Sequence, residues 1–167
     1  FQIDDLTGIG PFSMFPRTSA IEGNQVINIT GGPYKHAHYK ATLDVAFLNK
    51  VQTSQYRGVG HPIACTVTEG LVDLAAAKLG IDPLELRRRN VMEDGSYPRQ
   101  GASGILLEGL SHQACLDRIE TLMDYGALRR EQAALRERGV HRGIGLAALI
   151  ELTNPGPAFY LSLIHIS

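Results

Sequence analysis

Tyr56-Arg57-Gly58-Val59-Gly60-His61-Pro62 reads as a turn between a strand-like stretch and a long helical one. Arg57 is the only charged residue between Lys50 and Glu69, and Gly58 and Gly60 let the backbone beside it come closer to a ligand than a Cβ would allow. Taken alone, the ordinary reading is a glycine-rich strand-to-helix connection with one exposed arginine. Ile63 stands where the third glycine of a GxGxxG fingerprint belongs, and no Walker-type phosphate loop occurs.

Downstream of the turn, Pro62 sits where the first turn of a helix tolerates proline, and Ile63, Val67, Leu71, Leu74 and Ala75 recur at helical spacing. Gly80 ends that helix. Asp82 then caps a second, shorter one, with Pro83 at its first position and Glu85 completing a capping box. Arg87-Arg88-Arg89 is read as its last turn, where cations face the negative end of the dipole, and not as a nucleic-acid patch. Residues 93–109 form a linker or surface loop. Ser111 is expected to cap a third helix through Leu116, Ile119, Leu122 and Met123, with Leu110 and Cys115 as its staple. A charged, mostly solvated fourth helix covers Ala127 to Arg138, with Leu128 and Leu135 as its apolar contacts.

Upstream, residues 1–22 mix glycine and proline with apolar side chains and read as irregular. Gln25-Val26-Ile27-Asn28-Ile29 is β-branched and bounded by glycines, so a strand is expected there. A second strand covers Tyr39 to Asn49, with Leu43, Val45 and Phe47 on one face and Thr42 and Asp44 on the other. His36 and His38 share a face in an extended segment, but no Cys or carboxylate joins them, so hydrogen-bonded or solvated histidines are the favoured reading over a metal site. The continuous apolar run from Gly143 to Leu152 suits a strand buried on both faces. Glu151 at its end is either an ion-pair partner or a functional carboxylate. The fold class expected is α+β, a few strands at both ends with a helical middle.

At 167 residues and 44% apolar content, the chain has the size of one ordinary domain with a core. Sixteen basic against seventeen acidic residues leave a net charge of -1, which argues against nucleic acid and anionic membranes as partners. No run approaches the roughly 18 apolar residues that a membrane span needs. Cys65 and Cys115 form no CxxC and no disulfide framework, which fits a cytoplasmic location.

The tract from Gly23 to Arg89, GNQVINITGGPYKHAHYKATLDVAFLNKVQTSQYRGVGHPIACTVTEGLVDLAAAKLGIDPLELRRR, resembles the large, molybdopterin-binding subunit of the molybdenum hydroxylases, the xanthine dehydrogenase, aldehyde oxidase and carbon monoxide dehydrogenase family. There, xYRGxGxP precedes a helix of the form ExxxDxxAxxLGxDPxELRRxN. Arg142-Gly143-Ile144-Gly145-Leu146 and Glu151-Leu152-Thr153-Asn154-Pro155-Gly156-Pro157 look like the family's next strand and turn, so the resemblance covers about residues 1–160.

That resemblance implies hydroxylation of an aldehyde or N-heterocyclic carbon with water-derived oxygen, by a molybdenum held on a pterin, expected in its cytosine dinucleotide form. It implies partner subunits carrying a 2Fe-2S cluster and FAD. Arg57 and Gly58 match positions that face the cofactor, and no residue ligates the metal directly. In carbon monoxide dehydrogenase the Gly58 position is the cysteine that binds copper, so glycine disfavours that activity, since Cu(I) wants a thiolate. Val59 falls where purine-oxidising enzymes stack a phenylalanine, and Gln25 lies near their substrate arginine; both are carried as substrate-pocket positions, and both departures argue against xanthine. The family's catalytic glutamate lies in a C-terminal glycine-rich motif beyond this sequence, so no catalytic residue is expected here and the chain alone should be inactive.

Phe1-Gln2-Ile3-Asp4-Asp5 has neither an initiator methionine nor a leader's character, which suggests an internal piece of a longer subunit, residues 1–160. Leu161-Ser162-Leu163-Ile164-His165-Ile166-Ser167 departs abruptly and is expected to be a translated sequencing adapter, joined to bacterial DNA read from an environmental sample. The competing hypothesis is a non-catalytic helical interaction module on an inherited scaffold.

Overall fold

A computed structural model describes residues 1–11, 20–51 and 57–151. The adapter-like residues 161–167 and the end of the apolar run at Leu152 lie outside the described residues, as does Tyr56 of the turn. The architecture is α+β. Strand β1 (Gln2–Ile9) runs into helix α1 (Ile21–Ile29) and then β2 (Lys40–Phe47), followed by α2 (His61–Leu79) and α3 (Pro83–Asn90). A 3-10 turn at Asp94–Ser96 and the short strands β3 (Arg99–Gln100) and β4 (Leu106–Leu107) lead to α4 (His112–Met123) and α5 (Tyr125–Glu137).

β1 and β2 pair in parallel, Gln2 opposite Lys40 through Ile9 opposite Phe47. A parallel pair needs a crossover, and α1 supplies it. This corrects two expectations. Residues 2–9 are a strand and not an irregular connection, and Gln25–Ile29 belongs to a helix. The β-branched run misleads because Ile21, Val26 and Ile29 are buried at helical spacing, with Gln25 beside them. Leu43 of β2 packs its side chain against α1 at Gly23, as its inward face predicts, whereas Phe47 is largely exposed. Residues 93–109 also hold more order than a loop, since β3 and β4 pair as an antiparallel hairpin.

α2 begins after Gly60 and ends at Gly80, whose left-handed backbone lets the N–H groups of Gly80 and Ile81 return to the Ala77 and Ala76 carbonyls. Its periodicity is helical, but the large apolar residues do not face the core. Ile63, Val67, Leu71 and Leu74 are exposed, while Ala64, Thr68, Glu69 and Ala76 are buried. Small side chains on the inner face let α1 and α3 approach closely.

Asp82 caps α3 by accepting from the Leu84 and Glu85 backbone N–H groups at 2.8 and 3.3 Å. Glu85 does not reach back as a capping box requires; it pairs with Arg89 at 2.7 Å. Asp82 also accepts from the Tyr125 hydroxyl, which ties the start of α3 to the start of α5. Ser111 is not the side-chain cap of α4. The Asp94 carboxylate takes the free N–H groups of Gln113 and Ala114, both at 3.0 Å.

The core comprises Tyr34, Leu84, Val91, Leu116, Tyr125 and Ala148, with Val72, Ile144 and Leu146 against it. Residues 141–151 form no strand among the described residues. Side chains take the place of a ladder: Gln132 donates to the Arg142 carbonyl, Arg87 to that of Leu146, and the His112 ring meets that of Leu149. An apolar run reads identically whether its backbone is satisfied by strands or by side chains.

Arg87 is the hub of this packing. The sequence reads it as a last-turn cation facing the helix dipole, yet its side chain is fully buried. It pairs with Glu69 and Asp73, each at 2.8 Å, and donates to the carbonyls of Pro83 and Leu146. Burial works against its charge, but the hydrogen bonds to Asp73 and Glu69 prevail and raise its pKa. Glu69 accepts in turn from the Tyr34 hydroxyl at 2.8 Å. Burial and then the Glu69 charge push that phenol far above its ordinary value. α2, α3, the turn after α1 and the 141–151 segment thus share one satisfied polar network.

Candidate functional site

The turn before α2 has a backbone that only glycine adopts readily. Gly58 has φ +47° and Gly60 φ +75°. At Gly60 the constraint is spatial as well. A Cβ there would lie 2.6 Å from the Gln25 Cβ, 2.7 Å from the Glu22 carbonyl oxygen and 2.9 Å from the Val26 nitrogen. The corner is therefore wedged against α1, and Gln25, which is distant in sequence, is brought into contact with it. Arg57 is exposed at the head of the turn, Gly58 and Val59 are half-buried, and Gly60 is buried.

Two side chains beside this corner carry polar atoms without hydrogen-bond partners among the described residues. Gln25 is 2% exposed, with its Oε1 unpaired, and His61 is 8% exposed, with both ring nitrogens unpaired. Buried polar groups are nearly always satisfied, so each unmade bond costs about 1–3 kcal/mol. Burial lowers the His61 pKa, opposed by the Glu151 charge and by the neighbouring Gly58 carbonyl, so the ring is held neutral. The Gly58 carbonyl accepts the His61 backbone N–H at 2.9 Å.

Glu151 arrives from the far end of the chain. Its Oε1 lies 3.2 Å from the point a Gly58 Cβ would occupy, and the His61 Nδ1 lies 3.8 Å from the same point. One small backbone turn thus gathers an exposed carboxylate, a buried imidazole and a buried amide. A turn built on two glycines, with unpaired polar atoms beside it, leaves room for a ligand to approach the main chain closely.

Residues 2–91, more than half of the chain, match the molybdopterin cofactor-binding domain. The chain belongs to this family. Its relatives are large subunits of molybdenum hydroxylases. It is 31% identical over 143 residues to the nicotine 6-hydroxylase large subunit of Paenarthrobacter nicotinovorans, covering 85% of this chain and 17% of that protein. It is 29% identical over 151 residues to the aldehyde oxidoreductase of Megalodesulfovibrio gigas, covering 86% and 15%. The crystal structure of quinoline 2-oxidoreductase from Pseudomonas putida 86 superposes with a TM-score of 0.71 at 30% identity, over 81% of this chain and 17% of that one. The chain thus spans less than a fifth of the length of these molybdenum hydroxylase relatives.

Of the positions singled out in the sequence, Gln25 is brought against Gly60, and Arg57, Gly58 and Val59 are the residues that lead into that glycine. His36 and His38 hold no metal cluster, since no group of three or more His, Cys, Asp or Glu side chains gathers among the described residues. The His36 Nδ1 lies 3.0 Å from the Tyr34 carbonyl, and its ring meets Phe1 edge-on and Tyr39 at a tilt. Burial lowers its pKa too. Cys65 is half-buried in α2 and Cys115 exposed in α4; both are free thiols. No helix among the described residues is long and apolar enough to cross a membrane. Sequence reading missed His61 as a site residue: nothing local distinguishes a buried, unpaired histidine from an exposed one.

Proposed function

We propose that this chain is part of the cofactor-binding subunit of a molybdenum oxidoreductase that hydroxylates an N-heterocyclic or aldehyde carbon with oxygen taken from water. The observation that carries this is the cluster of unpaired buried polar atoms, Gln25 Oε1 and both His61 ring nitrogens, around a side-chain-free corner of a cofactor-binding domain. When bound, the molybdenum pterin supplies the redox chemistry, accepting the two electrons of the hydroxylation. The protein's part is to bind, orient and exclude. The main chain at Arg57 and Gly58 faces the cofactor, while Val59 and Gln25 shape the substrate pocket. Valine at position 59 removes an aromatic stacking face, which favours substrates other than xanthine.

Glycine at position 58 leaves no thiolate for copper, so carbon monoxide oxidation is disfavoured. The pterin is the cytosine dinucleotide form, and subunits carrying iron–sulfur and FAD centres relay the electrons in a cytoplasmic complex. Residues 1–160 are the family-related part, and the chain alone is inactive.

The exposed stripe Ile63, Val67, Leu71 and Leu74 favours a second reading, a non-catalytic interaction module. The test of the first is to express the subunit from its complete gene with its neighbouring genes. Stoichiometric molybdenum and label from 18O-water in the product support it. A metal-free complex that still assembles through the α2 stripe supports the second and overturns the first.

A further inference from the structure

Glu151 makes no hydrogen bond or ion pair to another described residue, although its carboxylate stands in the gap where a residue-58 side chain would be. The His61 ring borders the same gap, with both ring nitrogens unpaired among the described residues. Counted as hydrogen-bonding capacity, this set is rich in acceptors. A carboxylate only accepts, and a neutral imidazole offers one acceptor and one donor. A ligand that completes the set must bring donors. An aldehyde carbonyl brings none, and a ring N–H does.

We propose that Glu151, supported by His61, recognises the N–H group of a nitrogen heterocycle, so that the site selects ring N–H donors over aldehydes and over rings of the same shape without the N–H. This deepens the reading of the site as a substrate pocket beside a cofactor, and rests on it. Glu151 is exposed and outside the buried network, so it can be changed without opening the core.

The test is calorimetric titration of the complete subunit, assembled with its partners, using benzimidazole and benzothiazole, bicyclic rings of one shape in which sulfur replaces the N–H. Wild type is expected to bind benzimidazole about tenfold or more tightly than benzothiazole, the scale of one charge-assisted hydrogen bond. Glu151→Gln removes most of that ratio, and Glu151→Asp keeps part of it. Equal affinity of the two rings for wild type, or an undiminished ratio in Glu151→Gln, overturns the proposal. The titration needs no turnover, which separates the two readings. A molybdenum-loaded complex that does not discriminate keeps the cofactor reading and loses this one. A metal-free complex overturns the cofactor reading and, with it, this proposal.

Discussion

Two clusters of buried polar side chains lie along α2, one at its first residue and one near its middle, and they have been finished differently. Around Arg87, the guanidinium meets Glu69, Asp73 and two backbone carbonyls, and Glu69 holds the Tyr34 hydroxyl as well. At the N-terminal end, His61 and Gln25 are just as inaccessible, yet their ring nitrogens and amide oxygen meet nothing among the described residues. A satisfied network is a structural device, because every group in it is lost only by unfolding. An unsatisfied one is tolerated where something else completes it. The contrast separates a network closed within the chain from polar groups that meet no partner among the described residues.

The largest effect should come from breaking the satisfied end. Arg87→Met leaves Glu69 buried without its cation, and about 3–5 kcal/mol of stability should disappear in urea unfolding of the purified chain. Next is Gly60→Ala, where a new Cβ would strike the α1 backbone at a positive φ. A loss of about 2–4 kcal/mol is expected by the same measurement, and a neutral result would mean that the corner is not wedged. Gly58→Ala should cost less, about 1–2 kcal/mol, because among the described residues the nearest neighbour is the exposed Glu151 carboxylate, which can swing aside.

At the unsatisfied end the effect should vanish or change sign. Gln25→Leu removes an acceptor that has no donor, so unfolding should shift by no more than about 1 kcal/mol in either direction. A loss as large as that of Arg87→Met would show that Gln25 belongs to a structural network after all.

The smallest effect is one of protonation. Burial lowers the His61 pKa, so the folded chain binds fewer protons than the unfolded one in the window below about 6.5. Its contribution to stability is therefore complete above that pH and lost as pH falls below it. An NMR titration should place the His61 midpoint below the ordinary value, and Glu151→Gln should lower it further by removing the carboxylate that opposes the shift.

Legibility followed the range of the physics. Caps and turns are local, so the start of α2 at Pro62, its end at Gly80 and the Asp82 cap could be read from a few adjacent residues. The helical period of α2 was legible too, but not which stripe is covered, because burial depends on what packs there. The Gln25–Ile29 run shows the limit of β propensity. Its branched residues became a helix because their apolar spacing matches a face turned to the parallel strand pair. Asp94 displaced Ser111 as the cap of α4 because a carboxylate from outside the helix reaches two N–H groups at once.

By itself, the sequence determined the glycine corner, the helices from α2 onward and the family to which the tract around residue 57 belongs, since all of these reside in neighbouring residues and fixed spacings. Only the tertiary structure decided that Gln25 meets that corner, that Glu151 crosses the chain to stand at Gly58, and that Arg87 is a buried hub. Hydrogen-bond satisfaction depends on distance in space, and whether a polar atom is left unpaired becomes visible only when the chain has folded around it.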